Sequence, residues 1–114
     1  MIYCCEDIGE NSRYSFFRQS MSWQVFFKKH AAKQIAKSPK YVVDATRALV
    51  CEIELLGPMR HNWKNFGKLK GAENLYHCHI KQGNPTYVVC WEVTDKKVKI
   101  VEVYYVGTHE KAPY

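Results

Sequence analysis

The last third of the chain constrains the fold most, because it holds three strand-like segments joined by short turns. The segments cover Leu75–Lys81, Thr86–Thr94 and Lys97–Val106. Residues 82–85 read Gln-Gly-Asn-Pro and residues 95–96 read Asp-Lys, and both sequences are typical of the turns that join antiparallel strands. We therefore predict a three-stranded antiparallel meander in this region.

The residues before the meander predict one strand and two helices. Alternating residues favour a strand at Trp23–Phe27, and Lys28–Lys37 is typical of a short basic helix. A second helix begins with Ser38 as N-cap and Pro39 at its first position, and a Gly-Pro step at residues 57–58 ends it. Its apolar stripe consists of Val42, Ala45, Leu49, Ile53 and Leu56.

These elements predict an α+β fold of order β-α-α-β-β-β, in which an antiparallel meander sheet packs against two N-terminal helices. Residues 59–73 form a basic loop in this interpretation. At 114 residues the chain is long enough for one domain with one core, which we assign to residues 21–114. Residues 1–20 show no sustained periodicity and are interpreted as an N-terminal extension, unless residues 14–17 pack on the domain.

The sequence favours a cytoplasmic protein. No apolar run approaches the ~20 residues of a transmembrane helix, and the first residues lack the basic start and apolar core of a signal peptide. The five cysteines form an odd, irregular set, which fits a reducing compartment better than a disulfide scaffold. We expect no membrane association.

Charge indicates an anionic partner. The chain has 17 Lys and Arg against 11 Asp and Glu, a net charge of +6 and a pI near 9.1, which favours a polyanion, an acidic protein or both. No arginine lies beyond Arg60. Cationic chemistry in the predicted sheet must therefore come from lysine and histidine.

The first predicted strand of the meander carries His77, His79 and Lys81 at alternate positions. Successive side chains of a strand point to opposite faces, so these three groups should share one face. Neutral imidazole can act as a base, and imidazolium or ammonium can stabilise a phosphorane-like charge. Two alternatives stay open: a solvated polar face, and a metal site that lacks a third well-placed ligand.

Two further groups of polar residues flank the meander. Lys68 and Lys70 precede a glycine just before the first strand, and the tail after Gly107 carries His109, Glu110, Lys111 and Tyr114. A solvated loop and a frayed terminus are the respective alternatives. Together with the histidines, these residue types suit metal-independent RNA cleavage, which needs a base, a cation and an acid.

The predicted element order and two segments resemble the RelE/ParE toxin superfamily of bacterial toxin–antitoxin systems, and most closely its RelE and HigB-like members. The segments are Lys68-Leu69-Lys70-Gly71 leading to Leu75-Tyr76, and Tyr105 to Glu110. The resemblance covers residues 23–114. It implies a RelE-like fold and a cytoplasmic toxin that enters the ribosome, cuts mRNA without metal or cofactor, and is neutralised by a cognate antitoxin protein.

The resemblance also implies site residues. The catalytic groups would be His77, His79, Lys81, His109, Glu110 and Tyr114, and the RNA-binding groups Lys64, Lys68, Lys70 and Lys111. Family members often have an arginine at the start of the strand that follows the histidines, but residues 84–88 of this chain contain none. They often have another arginine after the final glycine, where this chain has Thr108-His109. The alternatives are a ParE-like gyrase inhibitor, which shares the fold without a nuclease site, and a plain basic RNA-binding domain.

Overall fold

A five-stranded sheet and two helices make up the described part of the computed structural model, which covers residues 23–81, 83 and 85–114. The predicted extension at residues 1–20 lies outside these residues. The elements are β1 (Gln24–Phe27), α1 (Lys29–Ala36), α2 (Lys40–Leu56), β2 (Lys64–Lys68), β3 (Leu75–Lys81), β4 (Tyr87–Asp95) and β5 (Ile100–Thr108), followed by a 3₁₀ turn (His109–Lys111).

The strands lie in the order β1-β5-β4-β3-β2. Strands β2 to β5 form an antiparallel meander, and β1 pairs in parallel with β5 at the far edge. The predicted α+β class and the antiparallel pairing of the last three strands are confirmed. The sheet has one strand more than predicted, because β2 lies within the segment that was interpreted as a loop.

Strand β2 escaped prediction because its sequence, Lys-Asn-Phe-Gly-Lys, lacks apolar alternation and contains glycine. Asn65 has φ 54°, and the register shifts between Lys64 and Gly67, so this is a bulged edge strand. Tertiary packing stabilises it instead: the Phe66 ring stacks on the rings of Tyr76 and Trp91, with centroid distances of 5.8 Å and 5.9 Å.

The junction between the two helices differs from its prediction. The N-cap of α2 is Pro39 rather than Ser38, and it makes no side-chain cap. The Ser38 hydroxyl instead donates to the carbonyl of Gln34 at 2.8 Å, so the serine belongs to the end of α1. The predicted end of α2 is confirmed, since Gly57 follows the helix at φ 102°.

Both helices cover one face of the sheet, where apolar side chains alternate along the strands. Trp91 is fully buried at the centre, and its indole N–H donates to the carbonyl of Pro58 at 3.2 Å. Each fully buried aliphatic or aromatic side chain contributes roughly 1.5–3 kcal/mol. The core comprises Val25, Ala31, Ile35, Val42, Leu49, Val50, Ile53, Cys78, Val89, Trp91, Val93, Val101, Val103 and Val106. Neither helix in the described part of the chain is long and apolar enough to cross a membrane.

The Glu52 carboxylate fixes the loop that leads from α2 into β2. Its Oε1 accepts hydrogen bonds from the Arg60 guanidinium at 3.1 Å, the Asn62 amide at 3.0 Å and the Trp63 indole at 2.8 Å. Burial raises the pKa of Glu52, but these hydrogen bonds and the Arg60 charge outweigh burial and lower it below 4.5. The ionised carboxylate therefore holds the start of β2 against α2.

We expect Glu52→Ala to lower the free energy of unfolding by about 1–3 kcal/mol at pH 7, because three donors lose a charged acceptor. The lowered pKa means that this stabilisation is present above pH 4.5 and is lost as the pH falls below it. Urea unfolding at pH 7 and at pH 3.5 measures both effects, and the difference from wild type should shrink at the lower pH. Glu73→Ala, which removes an exposed loop carboxylate, is the control; an equal loss there would contradict the assignment.

Candidate functional site

The sheet face opposite the helices, called the open face below, carries the predicted histidines. His77 pairs with Cys90 and His79 pairs with Val88 on β4, while Lys64 of β2 pairs with His79 from the other side. Directly opposed residues of antiparallel strands share a face. The open face therefore carries His77, His79 and Lys64 next to one another.

The C-terminal tail folds back over this face through a tight turn after β5. The Tyr105 hydroxyl donates to the carbonyl of Thr108 at 2.7 Å, and the backbone N–H of His109 donates to the carbonyl of Thr86 at 2.8 Å. A Cβ on Gly107 would lie 2.7 Å from the Tyr105 hydroxyl oxygen. Glycine is thus required by the close approach of the Tyr105 ring.

The tail brings four rings together, and we call His77, His79, His109 and Tyr114 the imidazole cluster. The centroid of His77 lies 4.8 Å from that of Tyr114 and 6.2 Å from that of His79. The centroid of His109 lies 5.3 Å from that of His79 and 6.0 Å from that of Tyr114. Each ring contacts two others, so the cluster is closed, and two of its members come from β3 and two from the tail.

His77 is positioned as a neutral imidazole. Burial lowers the pKa of His77 below its ordinary value of 6.5; the hydrogen bond with Gly67 opposes this shift, and the charges of His79 and His109 reinforce it. Its Nδ1 lies 3.1 Å from the carbonyl oxygen of Gly67 on β2. A carbonyl only accepts hydrogen bonds, so we assign the proton to Nδ1, which leaves Nε2 with a free lone pair.

Tyr114 of the tail and the free thiols of Cys78 and Cys90 stay protonated at neutral pH. Burial raises the pKa of Tyr114 to about 12, so its phenol is a hydrogen-bond donor at neutral pH. Burial also raises the pKa of the free thiol of Cys90 to about 12, and raises that of the free thiol of Cys78 further. Neither thiol is therefore a nucleophile.

The remaining predicted site residues lie outside the cluster. Glu110 and Lys111 are exposed on the 3₁₀ turn. Lys68 pairs with Tyr76 on the face opposite the histidines, and Lys70 is exposed in the turn before β3. The register shifts between His79 and Lys81, which interrupts the alternation behind the Lys81 prediction, and the Lys81 side chain lies outside the described residues.

Among the described residues, no group of three or more His, Cys, Asp or Glu side chains converges closely enough to hold a metal ion.

The sequence interpretation missed Gly67 because β2 itself was missed. It also missed that Tyr105 packs against Gly107 and fixes the turn into the tail. The only sequence feature that could have indicated this is a tyrosine two residues before a glycine at the end of a predicted strand.

We expect Gly107→Ala to destabilise the protein by about 1–3 kcal/mol, because the added methyl group displaces the buried Tyr105 ring. The displacement breaks the Tyr105–Thr108 hydrogen bond and moves the tail. Thermal unfolding and NMR shifts of the His109 and Tyr114 rings measure this. Gly67→Ala is the control, since its added Cβ meets only ordinary contact at 3.7 Å. Unchanged ring shifts in Gly107→Ala would contradict the role assigned to this glycine.

We expect His77 to titrate below pH 6.5, with the proton of its neutral form on Nδ1. A folded-state pKa below the unfolded value means that His77 stabilises the fold above pH 6.5 and that this contribution is lost as the pH falls. Long-range ¹H–¹⁵N NMR spectra, recorded from pH 4.5 to 8, report both pKa and tautomer. A pKa at or above 6.5, or an Nε2-protonated neutral form, would contradict the assignment.

Comparison with known proteins shows which solved structures share this fold. No protein-family model matches the sequence, and no curated protein sequence matches it significantly. A mutant of the E. coli toxin RelE in the free state superposes with a TM-score of 0.61 at 22% identity, over 79% of this chain and 86% of that chain.

Two toxin–antitoxin complexes are also similar. The intact E. coli RelBE complex matches with a TM-score of 0.57 at 26% identity, over 75% of this chain and 94% of that chain. The archaeal RelE–RelB complex from Pyrococcus horikoshii OT3 matches with a TM-score of 0.62 at 21% identity, over 81% of this chain and 100% of that chain. The resemblance found in the sequence is confirmed at the level of the fold, and the chain has the RelE-like toxin fold.

Proposed function

We propose that this chain is the toxin of a toxin–antitoxin pair and inhibits translation as a ribosome-dependent mRNA endoribonuclease. The similarity to RelE, both free and in complexes with an antitoxin, supports the toxin role. The imidazole cluster carries the nuclease proposal. A gyrase inhibitor or a plain RNA-binding domain would not need three histidines and a tyrosine gathered on the open face.

The proposed reaction is attack of an RNA 2′-hydroxyl on the adjacent phosphate, which releases the 5′-oxygen. His77 takes the 2′ proton at Nε2, because its Nδ1 proton is held by Gly67. Lys64, opposite His79 in the register, stabilises the charge that develops on the phosphate. His109, as imidazolium, donates a proton to the leaving oxygen. The phosphate oxygens also accept a hydrogen bond from the Tyr114 phenol.

This chemistry needs no cofactor, since base, cation and acid are all side chains. The products are a 2′,3′-cyclic phosphate and a 5′-hydroxyl end. Within the predicted catalytic set, Glu110 and Lys81 have no assigned step, and His79, whose ring packs against those of both His77 and His109, positions the base and the acid. Lys68, Lys70 and Lys111 bind RNA outside the cluster.

The proposed partners are the ribosome with its mRNA in the cytoplasm, and a cognate antitoxin protein. The net charge of +6 suits all of them, because nucleic acid and an acidic segment of an antitoxin are attracted to the same surface. An antitoxin that covers the open face would block the imidazole cluster and neutralise the basic surface together.

Expression of the wild-type chain should arrest growth, and His77→Ala, His79→Ala or His109→Ala should relieve the arrest. Loss of a general acid or base lowers the cleavage rate by roughly 10²–10⁴-fold. Primer extension and end-group analysis of mRNA from arrested cells should show new cuts with 2′,3′-cyclic or 3′-phosphate ends.

His61→Ala is the matched control, because His61 packs against Phe66 outside the cluster, and this variant should remain toxic. Intact mRNA in arrested cells would refute the nuclease. DNA damage signalling with uncut mRNA would instead indicate a gyrase inhibitor. Absence of any arrest would favour a plain RNA-binding domain.

A further inference from the structure

A groove of about 610 Å³ lies on the other side of the tail from the imidazole cluster. Its walls are α1, the residues that link α1 to α2, and the C-terminal end of β5 with the following turn. It exists because β1 pairs with β5 only from Ile100 to Val103, and no other strand of residues 23–114 that the structure describes pairs with the rest of that edge. Gln34 of α1 partly covers the edge, and its side-chain oxygen accepts the backbone N–H of Val106 at 2.9 Å.

The groove is basic. His30 lines it from α1, Lys37 from the C-cap of that helix and Lys111 from the tail; no carboxylate is among its lining residues. Neither lysine forms an ion pair with a residue in the described part of the chain. Tyr87 and Thr108 add a phenol and a hydroxyl. Positive charge that no described carboxylate neutralises, next to hydroxyl donors, fits a phosphodiester backbone.

The tail is a wall shared by the groove and the imidazole cluster. Thr108 and Lys111 line the groove, whereas His109 and Tyr114 belong to the cluster. Consecutive Cα atoms are only 3.8 Å apart, so residues of this one turn that line the groove lie close to those in the cluster. An RNA strand that leaves the cluster therefore reaches the groove by crossing this turn. The continuity of the two sites favours one RNA strand over a separate acidic peptide, because only the RNA is expected to occupy the cluster as well.

We propose that this groove is a second subsite for single-stranded RNA, in which Lys37, Lys111 and His30 hold a phosphate next to the one at the imidazole cluster. The inference rests on the proposed function, since the occupant is the same RNA. It adds α1 and its C-cap, through His30 and Lys37, to the RNA-binding surface. It also gives Lys111 a specific place in that surface.

Fluorescence anisotropy of the full chain tests the proposal with a labelled, single-stranded RNA analogue. Its nucleotides are 2′-deoxy, so it lacks the attacking 2′-hydroxyl and cannot be cleaved. Each phosphate contact on a single strand contributes about 0.7 to the slope of log K against log salt. Lys37→Ala and Lys111→Ala should each reduce the slope by that amount and weaken binding about fivefold at 0.1 M salt. Lys37→Arg should retain binding, and thermal unfolding should be unchanged in all three.

Lys29→Ala and Lys33→Ala are the matched controls, because they remove the same charge from α1 outside the groove, and binding should change less than twofold. Equal losses in the controls, no loss at Lys37, or no RNA binding by wild type would overturn the subsite. Binding of oligoglutamate through Lys37 and Lys111 without RNA binding would also overturn it, in favour of an acidic protein partner. RNA binding that depends on Lys37 without any cleavage would support the subsite and contradict only the nuclease.

Discussion

The contact between Gly107 and the Tyr105 ring determines where the tail lies, and the candidate site depends on it. The Tyr105 phenol occupies the space that any side chain at position 107 would fill, and its hydroxyl ties down the carbonyl of Thr108. The backbone N–H of the next residue, His109, then donates to the carbonyl of Thr86, which directly precedes β4. Without this turn, His109 and Tyr114 would leave the end of β5 as a free terminus, and the two histidines of β3 would face solvent.

A second constraint comes from the edge strand. Glu52 holds the loop before β2 against α2, and Phe66 stacks on the aromatic core, so β2 keeps its place although its own sequence has weak strand propensity. The carbonyl of Gly67 then reaches His77 and selects its tautomer. Glu52, on the helix side of the sheet, thus influences through β2 which nitrogen of His77 carries the proton on the opposite face.

Alternation along β3 was enough to predict from sequence that His77 and His79 share a face, because a pleated strand leaves no other choice. The same rule fails for β2, whose bulge and glycine break the period and whose stability comes from distant aromatic rings. Ser38 was assigned to the wrong helix because its hydroxyl reaches back to Gln34. The closed ring of the cluster depends on the Tyr105–Gly107 contact, which is tertiary and carries no periodic signal.

The positions of the arginines determine which side chains can supply positive charge at the candidate site. Arg60 is engaged with Glu52 and the carbonyl of Gly57 on the helix side, and no arginine lies in the meander or the tail. Beside the imidazole cluster, the positive charge of the open face therefore comes from Lys64 and from histidines that are charged only when protonated. A guanidinium clamp would hold phosphate at every physiological pH. In the proposed function, a cluster of histidines would make both phosphate binding and proton transfer depend on pH, and it would make the lysines around the cluster more important for holding RNA.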